Sequence, residues 1–171
     1  MNLNHSKSLT KSNFTHLLHG HLPAEVNIYS EAVLKRKAPL MAFSKVSEVN
    51  EKELTILFQL NGEMQGQILC TIDLTQKKFN DSHIMILQSL FTESMNILLG
   101  QFLTDLEQDT EIMSMISHPE IILREKKNKL LEDLIENYSY NLSTKYELFT
   151  IKDSYQCSIY ILANKKTTKE V

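Results

Sequence analysis

The stretch DSHIMILQSLFTESMNILLGQFLTDLE, residues 81–107, decides how this chain is read. It has no proline and a single glycine, Gly100, and its apolar residues recur at spacings of three and four. Successive residues of an α-helix are offset by about 100°. On that wheel Ile84, Leu87, Phe91, Met95, Leu98 and Phe102 fall in one arc, which predicts a long helix laid on a core. Ser89, Glu93, Asn96 and Gly100 follow a four-three-four spacing in a strip about 60° wide, roughly opposite that arc. Glu93 and Asn96 are therefore neighbours about one turn apart. Met85, Ile86, Ile97, Leu99 and Leu103 border the strip, where a solvated face would carry lysine and glutamate. Two readings fit this pattern. The strip is a face that meets another protein, with the aliphatic border as docking area. Or the helix is packed between two layers, apolar all round, with Glu93 and Asn96 buried and hydrogen-bonded inside the fold.

Outward from the helix, the chain alternates short apolar runs with turn signals. Before it come three expected strands, LMAFSKVS (40–47), ELTILFQL (53–60) and QGQILCTIDL (65–74). The first two are bridged by polar EVNEK, and Asn61-Gly62 between the second and third is a hairpin signal. Asn80, Asp81 or Ser82 can cap the helix. After it come EIMSMISHP, a charged helical stretch REKKNKLLEDLIENY (124–138), and two final strands, KYELFTIKD (145–153) and YQCSIYILAN (155–164). A short helix is expected over Lys11–Leu18, broken by Gly20 and Pro23, and residues 24–38 take no clear assignment. Strands, then helix, then strands predicts an α+β fold, an antiparallel sheet packed against long helices. The expected organisation is a loose arm over 1–10, one domain over 11–165 and a solvated tail over 166–171.

The 171 residues suffice for one domain with a real core. A net charge of -3 and the lack of a basic stripe argue against a nucleic-acid or anionic-membrane partner. No apolar run approaches the ~18 residues of a membrane span, and the polar start lacks a signal-peptide core, so a cytoplasmic protein is expected. Cys70 and Cys157 read as buried, reduced core thiols. His16 and His19 share a helix face near His21, but no cysteine or carboxylate lies nearby in sequence to complete a zinc site, and no metal is expected.

The spacing of the polar strip points further. Ser89, three residues, Glu93, two residues, Asn96, then twenty-two residues and Pro119, resembles the motif of the CheC/CheX/FliY family of chemotaxis phosphatases. That motif reads Asp or Ser, x3, Glu, x2, Asn, x22, Pro. Gly100 matches a glycine often found four positions after the asparagine, and LNGEMQGQILCTIDL (60–74) resembles the family's hairpin before the motif helix. The resemblance covers about residues 40–120 well and the final two strands loosely. The chain departs from the family after Pro119, where a helical stretch stands in place of an early strand, and over the segment through residue 38. The full pattern running from Ser89 to Pro119 occurs once, so the chain resembles single-site CheX.

The resemblance implies the CheC/CheX-like version of the α+β fold and a substrate, the phosphorylated receiver domain of a CheY-like response regulator. Its aspartyl phosphate would be hydrolysed with Asn96 positioning the attacking water and Glu93 pairing with the receiver's lysine. Magnesium would come from the receiver, with no cofactor bound by this chain. Ser89, Gly100 and Pro119 would support the motif, through close approach of the partner backbone, helix packing and the shape of the following loop. A homodimer joined along sheet edges is also implied. The alternative is a catalytically weak binding or scaffold module of the same fold.

Overall fold

A computed structural model describes residues 11–45, 52–75 and 81–165. The expected arm over 1–10, the tail over 166–171, the end of the strand expected over 40–47 and the Asn80 cap lie outside the described residues. In chain order the elements are α1 (Lys11–His21), β1 (Glu25–Ile28), β2 (Ala32–Arg36), β3 (Met41–Ala42), β4 (Glu53–Gly62) and β5 (Met64–Asp73). Then come α2 (Asp81–Thr110), β6 (Ser114–Ile116), β7 (Glu120–Ile122), α3 (Arg124–Asn137), β8 (Tyr140–Thr150) and β9 (Ser154–Lys165).

The strands form one antiparallel sheet in the order β1-β2-β8-β9-β5-β4-β6, with β3 paired to β8 and β7 to β4. Its centre is the long ladder of β8, β9, β5 and β4, whose alternating residues face two different cores. Ile56, Phe58, Ile68, Cys70, Ile72, Cys157, Ile159 and Ile161 face α1 and α2 and pack with Phe14, Leu18, Phe91, Met95 and Phe102. Leu57, Leu69 and Leu162, one residue out of phase, meet Leu131 and Leu134 of α3 on the other side. The sheet therefore carries the motif helix on one face and the charged helix on the other.

Two glycines of LNGEMQG let this sheet close. Gly62 has φ of 122°, and a Cβ there would lie 2.5 Å from the Met113 carbonyl oxygen. At Gly66 a Cβ would fall 1.9 Å from the carbonyl oxygen of Leu162 on β9. Only glycine allows both approaches.

The elements differ from the sequence reading at instructive places. Residues 24–38 form a hairpin, β1 to β2, in which Val26, Ile28, Ala32 and Leu34 alternate inward. The strands are four and five residues long, too short to show a period of two. Only Met41–Ala42 of the strand expected over 40–47 pairs with β8 before the chain leaves the sheet. EIMSMISHP supplies the edge strand β6, and β7 follows directly on Pro119. The early strand that the sequence reading missed after Pro119 is thus present, three residues long, with α3 behind it. α1 continues through Gly20 to His21, and β8 begins at Tyr140, five residues before the run that announced it.

Candidate functional site

The outer face of α2 carries the motif. α2 is helical throughout residues 81–110, and its interior hydroxyls are satisfied within the helix: Thr92 Oγ1 donates to the Gln88 carbonyl at 2.8 Å and Ser94 Oγ to that of Leu90 at 2.6 Å. Ser94 is thereby buried with its hydroxyl satisfied by its own helix. Leu87, Phe91, Met95, Leu98 and Phe102 lie in the core as their spacing predicts, while Ile84 is only half-buried.

On the other side Ser89 and Glu93 are exposed, and Asn96 and Gly100 half-exposed. The Asn96 amide has no hydrogen-bond partner among the described residues. The Glu93 carboxylate has one, the Tyr29 hydroxyl, which donates toward Oε1 at 3.5 Å from the β1–β2 turn. The reading in which Glu93 and Asn96 are buried and engaged within the fold is therefore set aside. A free amide and a carboxylate, one turn apart on a solvent-facing helix, form a neutral acceptor and donor beside an anion. Such a pair can orient a water and hold a cation.

The aliphatic border divides along the helix. Met85 and Ile86 are exposed and Ile97 half-buried, but Leu99 and Leu103 are in the core. This corrects the expectation that both leucines border a docking surface. Met85 and Leu103 stand eighteen residues apart, about five full turns, so they occupy the same angle on the helix. Yet Met85 is 69% exposed and Leu103 only 5%. α1 packs against α2 and reaches its C-terminal end, where His21 Nε2 meets Asp109 Oδ2 at 3.0 Å. The helix wheel records angle and cannot record which turns a second helix covers.

Pro119 lies between β6 and β7, the two short strands that pair with β4. A Cβ at Gly100 would meet nothing within 4 Å, so packing within this chain does not require glycine there. Sequence reasoning missed Tyr29. Its signal, a lone tyrosine in NIYSEA, was hidden in the unassigned segment. With Ile28, Glu31, Met85, Ile86 and Glu93, Tyr29 lines an open groove of about 580 Å³ over the N-terminal half of the motif.

A second cleft, of about 530 Å³, lies where α1 meets the end of α2 and is lined by His19, His21, Arg36, Asp105 and Asp109. His19 Nδ1 accepts from the Leu40 amide at 3.4 Å. Burial, then the nearby Arg36 and His16, lower its pKa below the usual imidazole value. His21 is spent on the Leu17 carbonyl and on Asp109. Among the described residues no group of three or more histidine, cysteine or acidic side chains is placed to hold a metal ion, and no helix is long and apolar enough to cross a membrane.

Comparison with known proteins bears on the fold. No family profile matches the chain, and no curated protein does. Among solved structures the chain is similar to FliY from Thermotoga maritima, at 12% identity over 89% of this chain and 89% of that one, with a TM-score of 0.53. A chain of the CheX-CheY-BeF3-Mg2+ complex from Borrelia burgdorferi is matched at 13% identity over 87% of this chain and 91% of that one, with a TM-score of 0.44. A CheC-like superfamily protein from Shewanella sp. PV-4 is matched at 12% identity over 94% and 98%, with a TM-score of 0.41. At these identities the likeness is one of fold, and the FliY comparison carries it. The architecture of this chain, an antiparallel sheet with α2 on one face, is similar to the fold of FliY.

Proposed function

We propose that this chain is a CheX-like phosphatase that hydrolyses the aspartyl phosphate of a CheY-like receiver domain in chemotaxis or two-component signalling in the cytoplasm. The observation that carries the reading is the pairing of Glu93 with Asn96 on the solvent side of α2, the amide unengaged among the described residues. The Ser89–Glu93–Asn96–Gly100 spacing and the fold support it.

In this reading Glu93 pairs with the receiver's lysine and fixes the helix in register. Asn96 accepts a hydrogen bond from a water and aims it in line with the phosphorus, without adding charge near the phosphoryl oxygens. The water oxygen bonds to phosphorus, the bond from phosphorus to the aspartyl oxygen breaks, and the electron pair leaves with the receiver's carboxylate. Inorganic phosphate is released. Phosphoryl transfer of this kind needs positioning and charge stabilisation more than covalent help. Magnesium belongs to the receiver, and the site is complete only in the complex. Met85, Ile86 and Ile97 supply docking area.

The test is loss of label from purified receiver domains of the source organism, phosphorylated with radiolabelled acetyl phosphate. Wild-type chain at catalytic amounts accelerates the loss, and Asn96→Ala lowers that acceleration by on the order of 10²-fold. The exposed Met85, Ile86 and Tyr29 also suit a binding module of the same fold with negligible turnover. Binding without acceleration selects that second reading. A homodimer belongs to the proposal, and sedimentation equilibrium of the same preparation reads it, a single-chain mass setting it aside.

A further inference from the structure

The site extends beyond α2. The turn joining β1 to β2 places Tyr29 at φ of 51°, in the left-handed region that bulky residues rarely occupy and that glycine or asparagine fills without strain. Burial does not explain the choice, because Tyr29 is 78% exposed. What the residue does reach is Glu93, sixty-four positions away, through its hydroxyl. An unheld glutamate on a helix surface samples many rotamers, and fixing one of them costs free energy at the moment of binding. A hydroxyl on the far side of the groove removes part of that cost beforehand. At 3.5 Å the contact is longer than the ~2.7 Å of a strong O–H···O bond, so it biases the carboxylate without competing with a cation for it.

We infer that Tyr29 is a positioning residue for Glu93, and that the β1–β2 tip forms the second wall of the surface that receives the partner. The identity of the partner rests on the phosphatase reading, whereas the Tyr29–Glu93 contact rests on geometry alone. The groove states the partner's chemistry. Two carboxylates, Glu31 and Glu93, stand among Ile28, Met85, Ile86 and Leu90. This suits a protein surface that presents a cation framed by apolar atoms, as a receiver's lysine would be presented. The footprint is one-sided. It covers the motif face and the hairpin tip and stops short of the end of α2, where α1 packs and His21 meets Asp109.

Tyr29→Phe keeps the ring and the turn and removes only the hydroxyl. In the free chain, the three-bond NMR couplings that report the Glu93 side-chain rotamer are expected to collapse to averaged values in Tyr29→Phe and to persist in Asn96→Ala. On a radiolabelled phospho-receiver, Tyr29→Phe is expected to raise KM about three- to tenfold with kcat kept, whereas Asn96→Ala loses kcat. Couplings unchanged in Tyr29→Phe overturn the positioning role whether or not a receiver is turned over. Averaged couplings with an unchanged KM overturn the second wall. If wild type turns over no receiver while the couplings still collapse in Tyr29→Phe, the phosphatase reading falls and the Tyr29–Glu93 contact stands.

Discussion

Asn96 and Glu93 share a helix face, but the chain treats them differently. Glu93 has a neighbour in Tyr29, and the Asn96 amide is left with open valences among the described residues. Gly100 completes the strip and offers a clean separation of folding from function. Open space surrounds the position a Cβ would take, and a helical glycine costs roughly 0.5–1 kcal/mol relative to alanine. Gly100→Ala is therefore expected to raise the thermal midpoint by about 2–4 °C. If the glycine lets the partner backbone approach, the same substitution raises KM for the phospho-receiver. Thermal unfolding and the label-release assay on one preparation read both quantities. A stabilised variant with unchanged KM removes Gly100 from the site. Spacing alone identified the strip, because angle on a helix is a local property. It could not say that Tyr29 would come to lie over it, since that depends on pairings such as Ala32 with Thr150, far apart in sequence.

At the scale of elements, α2 was legible from its helical period over 30 residues, and the β4–β5 hairpin from two apolar runs joined at Asn61-Gly62. β1, β2, β6 and β7 have three to five residues each and take their strand conformation from the longer neighbours they pair with. α3 was legible as a helix but not in how it is attached. Its Lys127 is 2% exposed, with Nζ 2.5 Å from Glu53 Oε1 on β4 and 5.9 Å from the centre of the Tyr160 ring. In sequence this lysine was one of a charged run. A buried pair repays desolvation only while both partners are present. Lys127→Ala is expected to destabilise the chain by about 3 kcal/mol, and a Glu53→Leu/Lys127→Met double variant by far less. Urea unfolding checks this, and an additive double variant would show that the two groups do not act as a pair. α3 lies across the sheet from α2, so folded Lys127→Ala retains wild-type kcat.

At the scale of the whole molecule, the two thiols report on the sheet that supports the motif helix. Cys70 on β5 and Cys157 on β9 face the α1–α2 core, and the pairings Cys70 with Ile159 and Ile72 with Cys157 set them diagonally across the two strands. Diagonal neighbours on one face stand roughly 7–8 Å apart, too far for a disulfide, and both thiols are free. Burial raises the pKa of each well above the ordinary thiol value, with the neighbouring Cys157 adding to the effect at Cys70. Unfolding releases both to titrate near the ordinary value of about 8.5. The sign follows from which state holds its protons. The folded chain keeps them as pH rises and the unfolded chain loses them, so this stabilisation is complete below about pH 8 and is lost progressively above it. The unfolding free energy is expected to fall by up to about 1.4 kcal/mol per pH unit for each thiol. Above about pH 10 the buried Tyr146 hydroxyl, also raised by burial, adds to the fall. Denaturant titrations between pH 7 and pH 10 measure the slope, and Cys70→Ala/Cys157→Ala is expected to flatten it at every pH below the tyrosine range. A slope that persists unchanged in the double variant would place the alkaline loss elsewhere and leave the thiols as packing residues alone.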